Sequence, residues 1–368
     1  MRPCPTFVSL GETMNVKDPG VSYQRSVRRS IVLGAVVSAL GLRLAGAQSP
    51  IRLEKSRLVI AVGAKASLQY LPLTIAERLN YFAAEGLDIE ILDLGNGQRA
   101  QQAVMEGAAD VACGPFESLF DPVARKHLLQ AFVLIARAPQ IAFGVSTRSM
   151  PAMKSVADLK GRKIALAAPG SSAQLVAALV LARSGLTLQD VQLVEAGGIG
   201  AALQAVRSGG ADAIVHMEPV ITMLEQKGDI RVIADTRSLK GSLEVFGSAM
   251  PSACLFAPAQ AVQNHGNTMQ ALTYAVVHAL KWLQTAGPRD LIKAVPEAYL
   301  LGDRALYLAS FGKIRESIAL DGLIPDEGGK TAMQALARLD PTLVLAKTDL
   351  GRIYTNNFAR KAKEKFRA

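Results

Sequence analysis

From residue 57 onward the chain alternates short apolar runs with amphipathic stretches, and no other feature constrains its fold as strongly. Arg57 to Val62 reads as a strand. Pro72 then opens a helix where its missing N–H costs nothing, and Leu73, Ala76 and Leu79 face inward from it. Leu87 to Leu94 is a second strand, closed by the tight turn Gly95-Asn96-Gly97 and followed by a helix over Gln98 to Glu106. Val111 to Cys113 is a third strand, with a helix expected from Glu117 to Arg125. This β-α-β-α-β-α order predicts a parallel, doubly wound sheet.

A second series of the same kind begins near Phe143. It places strands at Lys163 to Ala167, Val191 to Val194, Ala213 to Val215 and Ile230 to Ala234, with helices between them. After about Val245 only Ala253 to Ala257 reads as a strand. Long helices follow, one of them carrying Met269, Leu272, Val276, Leu280 and Leu283 on a single buried face. Half of the residues are hydrophobic but only 5% are aromatic, so the cores are built of Ala, Leu and Val, as suits helices packed on mostly parallel sheets. The expectation is an α/β protein of two lobes. Residues 48–145 and 247–368 form one lobe, 146–246 form the other, and the chain crosses near 143–147 and 244–250.

Residues 1–47 read as a separate object. Arg25, Arg28 and Arg29 precede a 12-residue apolar run, Ile31 to Leu42, that ends in Ala45-Gly46-Ala47. A basic segment, a short apolar segment and a small-residue exit spell a secretory signal peptide. The Arg28-Arg29 pair also admits the twin-arginine route, and Met14 offers an alternative start. The leader holds six Lys/Arg and two Asp/Glu, which leaves 35 and 29 in the remaining 321 residues, a net charge of +6. Arg360, Lys361, Lys363, Glu364, Lys365 and Arg367 supply +4 of it. The excess is thus a basic helix end, with no nucleic-acid motif beside it, and no nucleic-acid partner is expected. Of three cysteines Cys4 falls in the leader. Cys113 and Cys254 are expected as buried thiols, with a disulfide left open.

In open parallel sheets, ligands sit beyond the carboxyl ends of the strands. Those ends are the loops 65–70, 95–98, 114–116, 169–172, 197–200 and 216–218. Gly170, Ser171 and Ser172 open a helix, where free amides and two hydroxyls suit the oxygens of an anion; simple helix capping is the competing reading. Gly95 with Asn96, and Gly114 with Phe116, are similar in kind. Gly197-Gly198-Ile199-Gly200 is too irregular for a phosphate loop. Gln69 and Tyr70 offer a hydrogen-bond donor and an aromatic wall, or form an ordinary turn. Glu218 suits an amine, or acts as a first-turn acid for the helix that starts at Pro219; His216 is either a donor to a ligand or a satisfied strand-end histidine. The sequence has no H-E-x-x-H, Cys/His cluster or G-x-S-x-G, so it predicts no metal, no cofactor and no enzyme activity.

Several stretches carry a family likeness: Leu71-Pro72-Leu73-Thr74-Ile75-Ala76-Glu77-Arg78-Leu79-Asn80-Tyr81-Phe82-Ala83-Ala84-Glu85-Gly86-Leu87-Asp88-Ile89-Glu90, the segment Val104 to Val111 with Gly107 and Asp110, the segment Ser155 to Ala165, and the segment Ala205 to Ala213. In these the chain resembles the nitrate/sulfonate/taurine branch of ABC-transporter substrate-binding proteins, which also contains thiamine-precursor binders. The resemblance implies a type-two periplasmic binding fold with a ligand cleft between two lobes that closes by a hinge. It also implies hand-over of a small molecule to a membrane permease and its ATPase, a periplasmic location and a monomer. Cleft positions then fall at Gln69, Gly95, Asn96, Gly114, Ser171, Ser172 and Glu218. Two departures stand out: the first loop lacks a clear basic or tryptophan residue that would favour one ligand, and His216-Met217-Glu218-Pro219 is not a stretch tied to sulfonate binders. A pyrimidine synthase of the same family would need an iron site and a cysteine-rich segment that this sequence lacks. Two ligand classes compete. A small organic anion (sulfonate, taurine, nitrate or carboxylate) fits the helix N-termini, and a neutral or cationic heterocycle fits Tyr70, Phe116 and Glu218. A ligand-sensing role at a membrane receptor is the alternative to transport.

Overall fold

The computed structural model describes residues 52–339 and 348–368; the leader expected over 1–47 lies outside them. The first α/β run comprises β1 (Arg57–Val62), α1 (Leu71–Arg78), α2 (Tyr81–Ala84), β2 (Asp88–Asp93), α3 (Gly97–Met105), β3 (Val111–Pro115), α4 (Pro122–Lys126) and β4 (Leu129–Leu134). The second comprises β5 (Ile141–Ser146), β6 (Lys163–Leu166), α5 (Ser172–Ala182), β7 (Gln192–Glu195), α6 (Ile199–Arg207), β8 (Ala213–Met217), α7 (Val220–Gln226), β9 (Ile230–Asp235) and α8 (Leu239–Phe246). The chain then returns through β10 (Ala253–Pro258) to α9 (Ala259–Asn264), α10 (Gly266–Thr285), α11 (Pro288–Ala294), α12 (Arg304–Ile314), α13 (Gly328–Leu339), α14 (Leu350–Ile353) and α15 (Asn357–Phe366).

Two five-stranded sheets result, ordered β2-β1-β3-β10-β4 and β7-β6-β8-β5-β9. The two orders are alike. In each sheet four strands run one way, and the fourth-ranked strand, β10 or β5, runs against both neighbours. That reversed strand is the one the chain delivers after crossing from the other lobe. Edge strands β2 and β7 carry Asp88, Glu90, Asp93, Gln192 and Glu195 on half-open faces, which discourages pairing with another chain. The central strand β3 and the edge strand β4 are buried on both faces and read as continuous apolar runs.

The structure corrects three expectations. β4 was not foreseen, because an apolar run with no Gly or Pro at either end reads equally well as a buried helix. The crossing expected near 143–147 falls inside β5, so the chain leaves the first sheet through 135–140 instead, and it returns through 247–252. The helix expected over 117–125 is a 3-10 turn, Phe116–Phe120, then the separate α4, because Pro122 cannot donate to a continuing helix.

The two crossings lie side by side. Ser252 N donates to Ala136 O at 2.9 Å, and Ile135 N and Ala136 N both donate to Ala253 O. Ala319 N donates to Ile135 O at 3.0 Å and Arg137 N to Ser317 O at 2.8 Å, adding a third strand of chain to the hinge. Gln140 takes a left-handed φ of 64° at its exit, a conformation that a non-glycine residue adopts at some cost. The C-terminal helices straddle the lobes: α10 packs on α1 and α15, α12 on α7, and α13 on α5.

Cys113 and Cys254 are buried free thiols on adjacent strands. Cys254 lies opposite Gly114, and Cys113 opposite Leu255. Directly opposed residues share a face and successive residues alternate, so the two thiols point to opposite faces of the sheet and do not pair.

Candidate functional site

The strand tips of the two lobes meet. The loop after β1 contributes Ala64, Ala66, Ser67 and Leu68 to a cavity of about 190 Å³. The second lobe adds Gly197 and Ile199 at the start of α6, and His216 through Val220 at the end of β8. Tyr299, Leu300, Leu301, Leu306 and Tyr307, before and within α12, close the third side. A narrower gap beside it is lined by Gln69, Gln140, Met217 and Glu218, so the hinge and the cavity are contiguous.

His216 is 6% exposed, and its Nε2 has no hydrogen-bond partner. Its Nδ1 lies 3.4 Å from the Met217 carbonyl. Burial lowers the imidazole pKa, while the carbonyls of Met217, Ala196 and Gly197 oppose that shift only in part, so the ring is neutral at pH 7. Beside it α6 begins at Gly198 with no side-chain cap. Its first N–H groups therefore have no partner within the helix. Glycine is required at Gly197, where a Cβ would stand 2.8 Å from the Ala167 carbonyl oxygen.

Glu218 reaches the cavity wall but is already committed. Arg237, 1% exposed, donates through Nη1 to Glu218 Oε1 at 2.5 Å and to Glu225 Oε2 at 2.8 Å. Its Nε and Nη2 bond both oxygens of Asp235, at 2.8 and 2.7 Å. Burial pulls the guanidinium pKa down, but the bonds to Asp235 and Glu225 and the charges of Asp235 and Glu218 outweigh it, so the pKa is raised. Glu218 Oε2 meanwhile accepts from Thr222 N at 3.1 Å and caps the first turn of α7. Three carboxylates thus share one guanidinium.

A second inter-lobe contact lies at α5. Ser172 Oγ donates to Glu117 Oε1 at 2.6 Å, across the two lobes. Glu117 Oε2 is buried without a partner, and burial pushes this carboxyl up despite the Ser172 bond. Ser171 Oγ is turned back on the Ala168 carbonyl, 2.6 Å away. Gly170, at φ 71°, leaves room for the Gln98 amide of α3, whose nitrogen would stand 2.7 Å from a Cβ there.

The anticipated site residues therefore separate. His216 and Glu218 lie on the cavity wall, with Gln69 alongside; its Nε2 donates to Ser252 Oγ at 3.4 Å. Gly170, Ser171 and Ser172 lie at the inter-lobe contact rather than on the cavity. Asn96 Oδ1 caps α3 by accepting from Arg99 N at 2.9 Å, and Gly95 N donates to Asp93 Oδ1. Tyr70, Gly114 and Phe116 belong to the interior. Tyr70 is core, and burial pushes its phenol upward. Gly114 packs beneath Phe256. Phe116 is fully buried edge-on to Phe120 and Tyr354, at 5.6 and 5.9 Å. None of the three serves as a cavity wall. Arg237, Glu117 and the Tyr299–Tyr307 segment were not foreseen; no motif marks them, since each matters only through a partner brought close by the fold. Among the described residues no group of three or more His, Cys, Asp or Glu could hold a metal ion.

A family model described as NMT1/THI5 like matches residues 67–287. A solved structure from Bordetella bronchiseptica RB50 is 48% identical, covers 86% of this chain and 100% of its own, and superposes with a TM-score of 0.81. The alkanesulfonate-binding protein SsuA from Xanthomonas axonopodis pv. citri, bound to MOPS, is 19% identical and covers 84% of this chain and 99% of its own at a TM-score of 0.60. The periplasmic nitrate-binding protein NrtA from Synechocystis PCC 6803 is 15% identical and covers 85% and 89% at 0.62. At these identities the last two share the fold.

Proposed function

Because this chain belongs to the NMT1/THI5-like family, we propose that it is an exported solute-binding protein that traps a small organic molecule between its lobes and delivers it to a membrane permease with its ATPase. One observation carries the reading: the cavity takes its walls from the strand tips of both lobes and from the α12 region, so a solute inside it holds all three together. Hinge closure then follows from differential contact, since the solute touches both lobes only when they are shut. The basic, apolar and small-residue order at the N-terminus supports export to the periplasm, where the protein acts as a monomer. On this reading it performs no chemistry on its cargo, and the carboxylate in the cavity lining, Glu218, is already held by Arg237 and Thr222. An organic anion was the sequence expectation, and the proteins named SsuA and NrtA take anions by their names. Here the Ser172 hydroxyl that would greet one is bonded to Glu117.

The test is direct. Protein purified without denaturation is sprayed for mass spectrometry under native and then denaturing conditions, and a stoichiometric small molecule is expected to be released. That molecule, added back at about a hundredfold its Kd, stabilises the fold by roughly 2.7 kcal/mol in a thermal melt. Ala64→Trp fills the cavity and is expected to abolish the shift. Equal shifts in both proteins would place binding elsewhere and sink the reading.

A further inference from the structure

The seam between the lobes holds a carboxyl group that lacks half of its partners. Glu117 sits on the Phe116–Phe120 turn beside the first sheet, and Ser172 opens α5 beside the second. The Ser172 hydroxyl reaches Glu117 Oε1, but Oε2 is buried with no donor on it, and no N–H of α5 bonds it. Gly170 and Gln98 meet in the same seam, and α13 packs on both the turn and α5, so water is kept from the carboxyl while the lobes are shut. A buried carboxylate with an empty oxygen costs far more than the same group carrying a proton. Nearby charges do not relieve it. The turn packs on β3, β4, α4 and α13, and α3 touches it where Gln101 Nε2 donates to Ser118 O. β3 brings Cys113, and β10 beside it brings Cys254; burial pushes both thiols up, so they stay neutral, as does Tyr354 against Phe116. β4 brings no titratable group, and α5 none before Arg183. Arg99 lies on α3, and Arg125 and Lys126 lie on α4, flanked by Asp121 and His127. Lys330 and Arg338 lie on α13, with Asp326 and Glu327 just ahead of it. Among the described residues none of these forms an ion pair with Glu117.

On the solute-capture reading, we propose that closing the lobes takes up a proton at Glu117, so the protein shuts more readily as its surroundings become more acidic. Opening withdraws Ser172 and admits water to the carboxyl, which then titrates in the ordinary carboxylate range. Shut, the same group holds its proton to a higher pH, because burial outweighs the Ser172 hydroxyl and the Glu117 backbone N–H. The shut state is therefore favoured below the ordinary range and loses that advantage as pH rises through the raised value. Between those two limits one proton separates shut from open, so each pH unit changes their ratio by at most about tenfold. A solute that needs both walls of the cavity inherits this dependence and is held more tightly at lower pH.

Small-angle scattering of the whole protein, freed of any co-purified solute, tests the coupling as pH is raised from about 4 through neutrality. The radius of gyration of the unaltered protein is expected to grow with pH. That of Glu117→Gln, uncharged at every pH, is expected to stay constant, and Glu117→Met serves the same purpose if the amide is not tolerated. A flat profile in the unaltered protein, or a radius that shrinks as pH rises, overturns the proposal. So does the same growth in the uncharged variants, which would place the proton on another group. Affinity for the solute carried through purification is expected to weaken with rising pH in the unaltered protein, by no more than about tenfold per unit, and to hold steady in Glu117→Gln. If no solute is carried, the capture reading falls, while the scattering profile still judges the proton coupling on its own.

Discussion

The most consequential single residue is Arg237. It is fully buried, and it alone neutralises Glu218 at the inner end of the cavity. Removing one partner of a buried ion pair strands the other charge, so Arg237→Met is expected to cost about 3–5 kcal/mol in denaturant unfolding. Adding Glu218→Gln recovers part of that; a double variant as unstable as the single one would show that packing, not charge, is what Arg237 supplies. Glu117 gives the opposite kind of signature. Burial raises its carboxyl pKa in the folded protein, so over the interval above the ordinary carboxylate range the native state holds a proton that the unfolded chain has released. Stability present at low pH is therefore lost as pH rises through the raised value. Glu117→Gln cannot titrate, so its stability relative to the unaltered protein is expected to increase as pH rises above the ordinary carboxylate range. A constant difference would mean that the carboxyl is not perturbed. His216 and Glu218 were legible in the sequence because they end a recognisable strand. Arg237, nineteen positions beyond Glu218, was not, since its role exists only once β8 and β9 flank β5. Tyr70 and Phe116 misled because an aromatic residue in a strand-end loop looks the same on paper whether it faces a ligand or the core.

Among elements, α10 is the main support of the first lobe. Its inward row Met269, Leu272, Val276, Leu280 and Leu283 is buried as its spacing predicts, against α1 and α15. Leu280→Ala removes a fully buried side chain from that row and is expected to cost about 2–5 kcal/mol by chemical denaturation; a cost under about 1 kcal/mol would mean that the neighbouring helices collapse into the gap. Periodicity revealed this helix, and turn residues bracketing short apolar runs revealed most of the strands. It was silent about β4, dry on both sides, and about the α12 region, whose tyrosines and leucines read as ordinary helix residues until the chain folds them over the cavity. The hinge was misplaced for a related reason. Ile141–Ser146 is wholly buried, and nothing in its composition tells which sheet it joins.

At the scale of the molecule, the lobes also touch away from the hinge and the C-terminal helices, at Ser172 with Glu117 and at Gly170 with Gln98. Ser172→Ala is expected to loosen closure, seen as a larger radius of gyration by small-angle scattering of the solute-free protein; an unchanged radius would leave the hinge and the C-terminal helices as the only restraints. The like-ordered sheets also set a schedule for folding. β5 through β9 are contiguous, so the second sheet can be completed by residue 235. The first cannot. β4 hydrogen-bonds to no neighbouring strand but β10, which lies more than a hundred residues later, and until then it stays an unpartnered apolar segment. A chain emerging amino end first must therefore finish its inner half before its outer one. During refolding, backbone amides of Phe143 and Val215 should acquire protection from hydrogen exchange ahead of those of Phe132 and Val133. The reverse order would show that the outer half assembles without waiting for its last strand.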